Sequence, residues 1–210
     1  MARPSQSIDQ LLLDAGLALL PLTGCASLSV RRLTEHAGVN LGMFHYHFKS
    51  KENFIKAVLQ RTYEEMFAAL ALRVNPAHPA LHNLRDALGV LGNFGLKNRL
   101  LLVRILGDAM CGEPLATAFL RDNLPRHIEV IASLVRQAQA EGSLVSGAPV
   151  AQVIAFMVGA VAAPILAAAV LEKTAGANGQ AAPLMSAQAL AQRIEFALRG
   201  LASEKSNDAL

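Results

Sequence analysis

Within Ser29 to Lys51, SVRRLTEHAGVNLGMFHYHFKSK, capping side chains stand directly before apolar-periodic runs, with cations on either side. Ser29 can cap one short helix, with Leu28 and Leu33 at the staple positions before and inside it. Asn40 can cap a second, with Val39 and Phe44 as its staple. Gly38 lies between them, where a positive-φ residue ends a helix and reverses the chain. Two capped helices this close form a helix-turn-helix, whose second helix is sized for the major groove of DNA. The chemistry these residues suit is recognition of a duplex.

Catalysis has no comparable support. The chain carries no phosphate-binding Gly loop, nucleophile elbow or HExxH motif, and no carboxylate–histidine set at catalytic spacing. We therefore expect neither an enzyme nor a cofactor. His36, His45 and His47 are close in sequence and His78 and His82 are four apart, spacings that zinc can use. Three of them fall in the helix-turn-helix, however, and Pro79 interrupts the second pair, so no metal site is expected.

In the second helix Phe44 and Phe48 must face inward at i, i+4, together with Val39. Asn40, Leu41, Met43, His45 and Tyr46 are left on the outer side or its edges. No Arg or Lys is among them, so the commonest guanine contact is unavailable from this helix. Direct readout is expected to be weak: Met43 or Leu41 against thymine methyls, with polar contacts from Asn40, His45 or Tyr46. Lys51 at a helix start should touch phosphate, as should Ser29 and Arg31 near the start of the preceding helix. The competing reading makes these polar residues an ordinary solvated face.

The elements that must hold this motif are helical. Of 210 residues 53% are hydrophobic and only 5% aromatic, without Trp, so the core must be mostly Leu, Ala, Val and Ile. Ala and Leu favour helices, and strand-rich runs of Val, Thr and Tyr are absent. Two cysteines, Cys25 and Cys111, are too few for a disulfide framework, which suits a reducing, cytoplasmic setting. The first residues lack the basic start and long apolar run of a signal peptide. The formal net charge of +3 is unevenly placed: up to Arg61 there are seven Lys/Arg and four Asp/Glu, and twelve of each thereafter. All of the surplus therefore lies with the helix-turn-helix, where phosphate attraction would use it.

Periodicity predicts a first helix from Ser5 or Ser7 to Leu20, with Ile8, Leu11, Leu12, Ala15 and Leu19 on one stripe, ended by Pro21 and Thr23-Gly24. Val30–Ala37 and Leu41–His47 follow, and Ser50 caps a longer helix toward Val74. Further helices are expected near Leu81–Phe94, Leu96–Met110, Pro114–Glu141 with a break at Pro125, Pro149–Lys173 and Ser186–Ala202. Thr174 to Pro183 reads as a loop. The fold class is all-α: a three-helix head over residues 1–50, then an all-helical body over 51–205, with the boundary inside the helix that starts near 50.

The segment SVRRLTEHAGVNLGMFHYHFKSKENF resembles the TetR family of bacterial transcriptional regulators, most specifically in Ala37-Gly38-Val39, Gly42, Phe44, Phe48 and Lys51. The resemblance covers the first quarter to third of the chain. It implies an Ω-shaped homodimer with a DNA-binding head and a ligand-binding and dimerisation body on each subunit. It also implies a repressor that leaves its operator when a small molecule enters the body, with half-sites about 34–36 Å apart or a multiple of that. One departure is His45, where the family commonly has a Tyr that contacts phosphate; Tyr46 follows it here. Imidazole can also donate to phosphate, with a pH sensitivity that Tyr lacks. Thr34 is a milder change, at a position where a small apolar residue is usual.

For an effector pocket the candidates are Phe94, Met110, Phe119, Phe156 and Met157, against the competing role of plain core packing. Arg104 and Asp108, one turn apart, read as an exposed ion pair, with a place on the rim of that pocket as the alternative. Cys111, with no neighbouring Lys or His, looks inert. Val153 to Leu171 has no charged residue and approaches the length of a membrane span. Pro164 interrupts it and only Lys173 could anchor it, so a helix buried between its own body and a partner subunit is preferred to a bilayer anchor. Gly159, Ala160, Ala163 and Ala167 would let helices approach closely and, with Ala189, Ile194, Phe196, Ala197 and Leu201 of the last helix, would form a four-helix dimer interface.

Lys51→Ala should weaken binding to all duplex sequences alike and reduce the slope of log affinity against log salt by about one unit. Titrations over a salt series check this, and an unchanged slope would count against a phosphate contact.

Overall fold

The computed structural model describes residues 5–174 and 182–203, as eight α-helices and one short 3-10 turn. The helices are α1 (Ser5–Ser27), α2 (Val30–Ala37), α3 (Leu41–Phe48), α4 (Lys51–Arg73), α5 (Ala80–Met110), α6 (Pro114–Ala140), α7 (Val150–Thr174) and α8 (Ala187–Gly200). Part of the loop expected over Thr174 to Pro183 lies outside the described residues. The chain divides into two compact units, residues 1–65 with 100–123 and residues 66–99 with 124–210.

The first unit closes around Leu12, Leu19, Leu20, Leu28, Leu33 and Phe44, with Phe54, Ile55 and Val58 of α4 and Leu101, Ile105 and Ala116 from later in the chain. α1 passes through Pro21 and breaks at Gly24, in the Thr23-Gly24 pair that was expected with Pro21 to end it. Leu19 and Leu20 are buried in the core, and that packing outweighs the loss of one backbone donor at the proline. The helix breaks at Gly24, whose φ of 72° and ψ of −179° lie in a region essentially reserved for glycine.

Side chains replace the helical hydrogen bonds at this bend. The Cys25 N–H donates to Asp108 Oδ2 at 2.8 Å, and Arg104 Nη2 donates to the Thr23 carbonyl at 3.0 Å. Arg104 Nε and Asp108 Oδ1 lie 2.9 Å apart, with the carboxylate side chain only 11% exposed. The pair expected on an open surface is therefore a clasp on the end of α1. A Cβ on Gly24 would meet both the Arg104 guanidinium and the Asp108 carboxylate.

In the second unit Leu84, Ala87 and Leu88 of α5, Ile131, Leu134 and Val135 of α6, Val153, Met157 and Val161 of α7, and Leu190, Ile194 and Leu198 of α8 share one core. α5 breaks at a kink at Asn98 (φ −111°, ψ 17°), a few residues beyond the break expected between Phe94 and Leu96, and Asn98 Nδ2 donates to the Phe94 carbonyl. α6 also passes through Pro125 without ending. Arg85 and Glu195 join α5 to α8, and Arg99 and Glu172 join α5 to α7. The Arg85 guanidinium holds the Glu195 carboxyl below the usual range.

Gly24→Ala combines a forbidden backbone conformation with a collision against the clasp. It should cost at least about 1–3 kcal/mol, read as a lowered denaturant midpoint. A variant as stable as the parent would remove the clasp from this account.

Candidate nucleic-acid interface

The two short helices have the capping geometry their sequence required. Ser29 Oγ accepts from Arg32 N at 3.4 Å at the start of α2, and Asn40 Oδ1 accepts from Met43 N at 3.0 Å at the start of α3. Gly38 sits in the left-handed region (φ 65°, ψ 33°), its N–H on the Glu35 carbonyl and the Val39 N–H on that of Thr34. Thr34 is tolerated in the buried position because its hydroxyl donates to the Arg31 carbonyl at 2.9 Å.

Aromatic packing orients α3. Phe44 is fully buried, and its ring centroid lies 5.8 Å from Phe48 and 5.4 Å from Phe54; Phe48 and Phe54 meet edge to face at 4.9 Å. With that face inward, Leu41, Gly42, His45 and Tyr46 share the exposed one, at i, i+1, i+4 and i+5. Leu41 is 49% exposed and Tyr46 73%, the latter with its ring edge-on to His47. Met43 is half-buried at the margin. The helix thus presents a mixed apolar and polar surface without a cation.

Charge lies around that surface. Arg31 is exposed and paired with Glu35 at 3.0 Å; Arg32 and Lys49 are exposed cations that the sequence reading had counted but not assigned to contacts. Their positive charge and position beside the caps were the available signal. Lys51 is half-buried, and its Nζ donates to the Ala26 carbonyl at 2.8 Å. It therefore ties α4 to the end of α1, with its remaining donor capacity free for a phosphate. Lys49 also closes the turn after α3: its φ is 64° and ψ −48°, and the Ser50 N–H bonds back to the Phe48 carbonyl at 2.7 Å. This is a γ-turn, strained for a residue with a Cβ.

The effector candidates are divided between the two units. Phe119 packs in the first unit's core beside Tyr63, Arg104 is in the clasp, and Met110 is 90% exposed. Met157 is fully buried in the second unit's core, while Phe156 of the same helix is exposed. A cleft of about 290 Å³ in the second unit is lined by Arg73, Arg85, Asp86, Asn93 and Glu195 among others, and by none of those candidates. The dimer candidates also divide. Gly159, Ala163 and Ala167 are exposed and Ala160 is half-buried, whereas Ile194 lies in the second unit's core and Leu201 packs against that core. Phe196, expected on the same interface stripe as Ile194, is 68% exposed on α8, whereas Ile194 is buried. Cys25 is buried, which together with nearby Glu113 and Asp108 pushes its thiol up to about 12 and keeps it protonated.

Residues 12–58 match the sequence profile of the bacterial regulatory proteins of the tetR family. Comparison with curated proteins by sequence finds no match. Among solved structures, the ketosteroid transcriptional regulator KstR2 of Mycobacterium tuberculosis has a TM-score of 0.71 at 20% identity, covering 93% of this chain and 95% of that one. A bacterial regulatory protein of the tetR family from Rhodococcus RHA1 has a TM-score of 0.68 at 16% identity, covering 93% and 97%. A protein from Saccharomonospora viridis in complex with choline has a TM-score of 0.70 at 16% identity, covering 95% and 100%. Residues 12–58 are thus similar to the bacterial regulatory proteins of the tetR family, and the chain as a whole has the fold of these solved structures.

Proposed function

We propose that the protein is a homodimeric repressor that reads an operator duplex with α3 and releases it when a small molecule binds the helical body. The observation that carries the DNA reading is the exposed Leu41, Gly42, His45 and Tyr46 face on a helix held from behind by buried aromatic rings. Asn40, Met43, Ser29, Arg31 and Lys51 border it, and the flanking cations supply the sequence-independent attraction to phosphate. With no cation on α3 itself, base discrimination rests on van der Waals contact with thymine methyls and on polar groups at the helix edge.

Release by a ligand is supported by the company the fold keeps: one similar structure is a ketosteroid regulator and another holds choline. These molecules differ too much in chemistry to identify the effector here. For the dimer, Ala155, Gly159, Ala163, Ala167 and Leu171 recur at four-residue spacing along an uncharged, exposed face of α7. Phe156 and Val170 flank them, and we take a second copy of the chain to cover this face. α7 is also long and apolar enough to cross a membrane, as is Ile8–Ser27 of α1, by length and composition alone. Against an anchor, the inner side of α7 is occupied by its own core, and Glu172 near its end is engaged by Arg99.

Selection of bound fragments from random duplexes should enrich a two-fold symmetric site. No enrichment at low salt would remove the DNA reading. Ala163→Arg should convert dimers to monomers in light scattering, whereas a dimer that persists would place the contact surface elsewhere. Co-flotation of the unmodified chain with lipid vesicles would instead favour the anchor.

A further inference from the structure

The cleft of about 290 Å³ in the second unit lies where α5 and α8 part. The two helices are joined on either side of it. At Gly92 of α5, Leu190 of α8 comes so near that a Cβ on the glycine would stand 2.5 Å from Leu190 Cδ1. At Arg85, Nε and Nη2 donate to the two carboxylate oxygens of Glu195. The lining residues Gly89, Ala191 and Ile194 fall between these two places along their helices.

Two glycines one turn apart on α5 therefore do different things. Gly92 is needed for the close approach of Leu190. Gly89 has an ordinary helical backbone, and a Cβ there would meet nothing within 4 Å. A glycine inside a helix weakens it relative to alanine, and neither conformation nor packing asks for one at this position. What the missing side chain leaves open is the floor of the cleft.

The walls are charged. Arg85 and Glu195 neutralise each other, which leaves Asp86 and Arg73, the last residue of α4. Arg73 is exposed and has no hydrogen bond or ion pair among the described residues. Asp86 Oδ2 has His82 Nε2 at 3.8 Å, beyond hydrogen-bond reach. Asn93 adds an exposed amide, and Val90, Ala191 and Ile194 add apolar surface. A purely anionic ligand would meet the Asp86 carboxylate, and a purely cationic one the Arg73 guanidinium. A zwitterion meets an opposite charge at both. The volume is at the lower end of the range for small-molecule sites, about 300–1,000 Å³, so the ligand is small.

We propose that this cleft binds a free amino acid, with its carboxylate on Arg73, its ammonium on Asp86 and an aliphatic side chain against Val90, Ala191 and Ile194. The proposal rests on the reading that a small molecule binds the helical body, and it gives that molecule a place and a chemical class.

The test adds each common protein amino acid to the full chain, reads binding as a rise in melting temperature, and measures affinity by calorimetric titration. At least one aliphatic amino acid should bind. Its amide and its deaminated acid, which carry one charge each, should bind at least about tenfold more weakly. Arg73→Gln and Asp86→Asn should weaken binding by a similar factor, and Lys97→Gln, which removes an exposed cation of α5 outside the cleft, should not. Gly89→Leu should fill the cleft and abolish binding while melting no lower than the parent without ligand, because the position is helical and open. Binding by no amino acid would overturn the proposal, as would equal affinity of Gly89→Leu and the parent, or of the amino acid and its singly charged analogues. If no amino acid binds but another compound releases a selected duplex, the cleft proposal falls and ligand release stands. An amino acid that binds at the cleft and leaves the duplex in place would uphold the site and count against release.

Discussion

The contact of Phe44 with Phe48 and Phe54 governs what the amino-terminal unit can present to a partner. α3 is only eight residues long, too short to hold its shape alone, so its orientation is set by what it buries. Once Phe44 is seated in the core, the helical period leaves Leu41, Gly42, His45 and Tyr46 no place but outside. The caps at Ser29 and Asn40 and the left-handed Gly38 fix where α2 and α3 begin and turn, but packing decides which side of α3 meets solvent.

A second constraint acts at the other end of this unit. The bend at Gly24 breaks the backbone ladder of α1 close to the start of α2, and the freed groups at Thr23 and Cys25 are met by Arg104 and Asp108. A largely buried carboxylate with a guanidinium and a backbone N–H as partners is satisfied, and removing any one would strand the others. Lys51 adds a third tie at Ala26. The junction from α1 into α2 and α3 is thus held by charged side chains rather than by chain continuity alone, which keeps α3 in a definite place.

The second unit shows how one helix can serve two environments. α7 buries Val153, Met157, Val161 and Ile165 on one side, while Ala155, Gly159, Ala163 and Ala167 line the other. Small residues on the outer side let another helix come close, and the lack of charge there makes water a poor covering. A helix apolar on every side is the composition a membrane span and a subunit interface have in common, so composition alone does not separate them.

Local chemistry in the chain was enough to specify the caps at Ser29, Asn40 and Ser50, the turn at Gly38, the span of α2 and the inward placement of Phe44. Each depends on neighbours within four residues, which a sequence displays directly. Pro21 and Pro125 misled for the opposite reason: the loss of a donor is local, but the burial that offsets it comes from distant residues. The same holds for Arg104 and Asp108, whose partners lie about eighty residues away, and for Ile194 against Phe196, where only the assembled core shows which stripe of α8 is covered. Sequence determined the elements and their caps because these answer to nearby atoms; tertiary structure decided the clasp and the covered faces because those answer to atoms that only folding brings near.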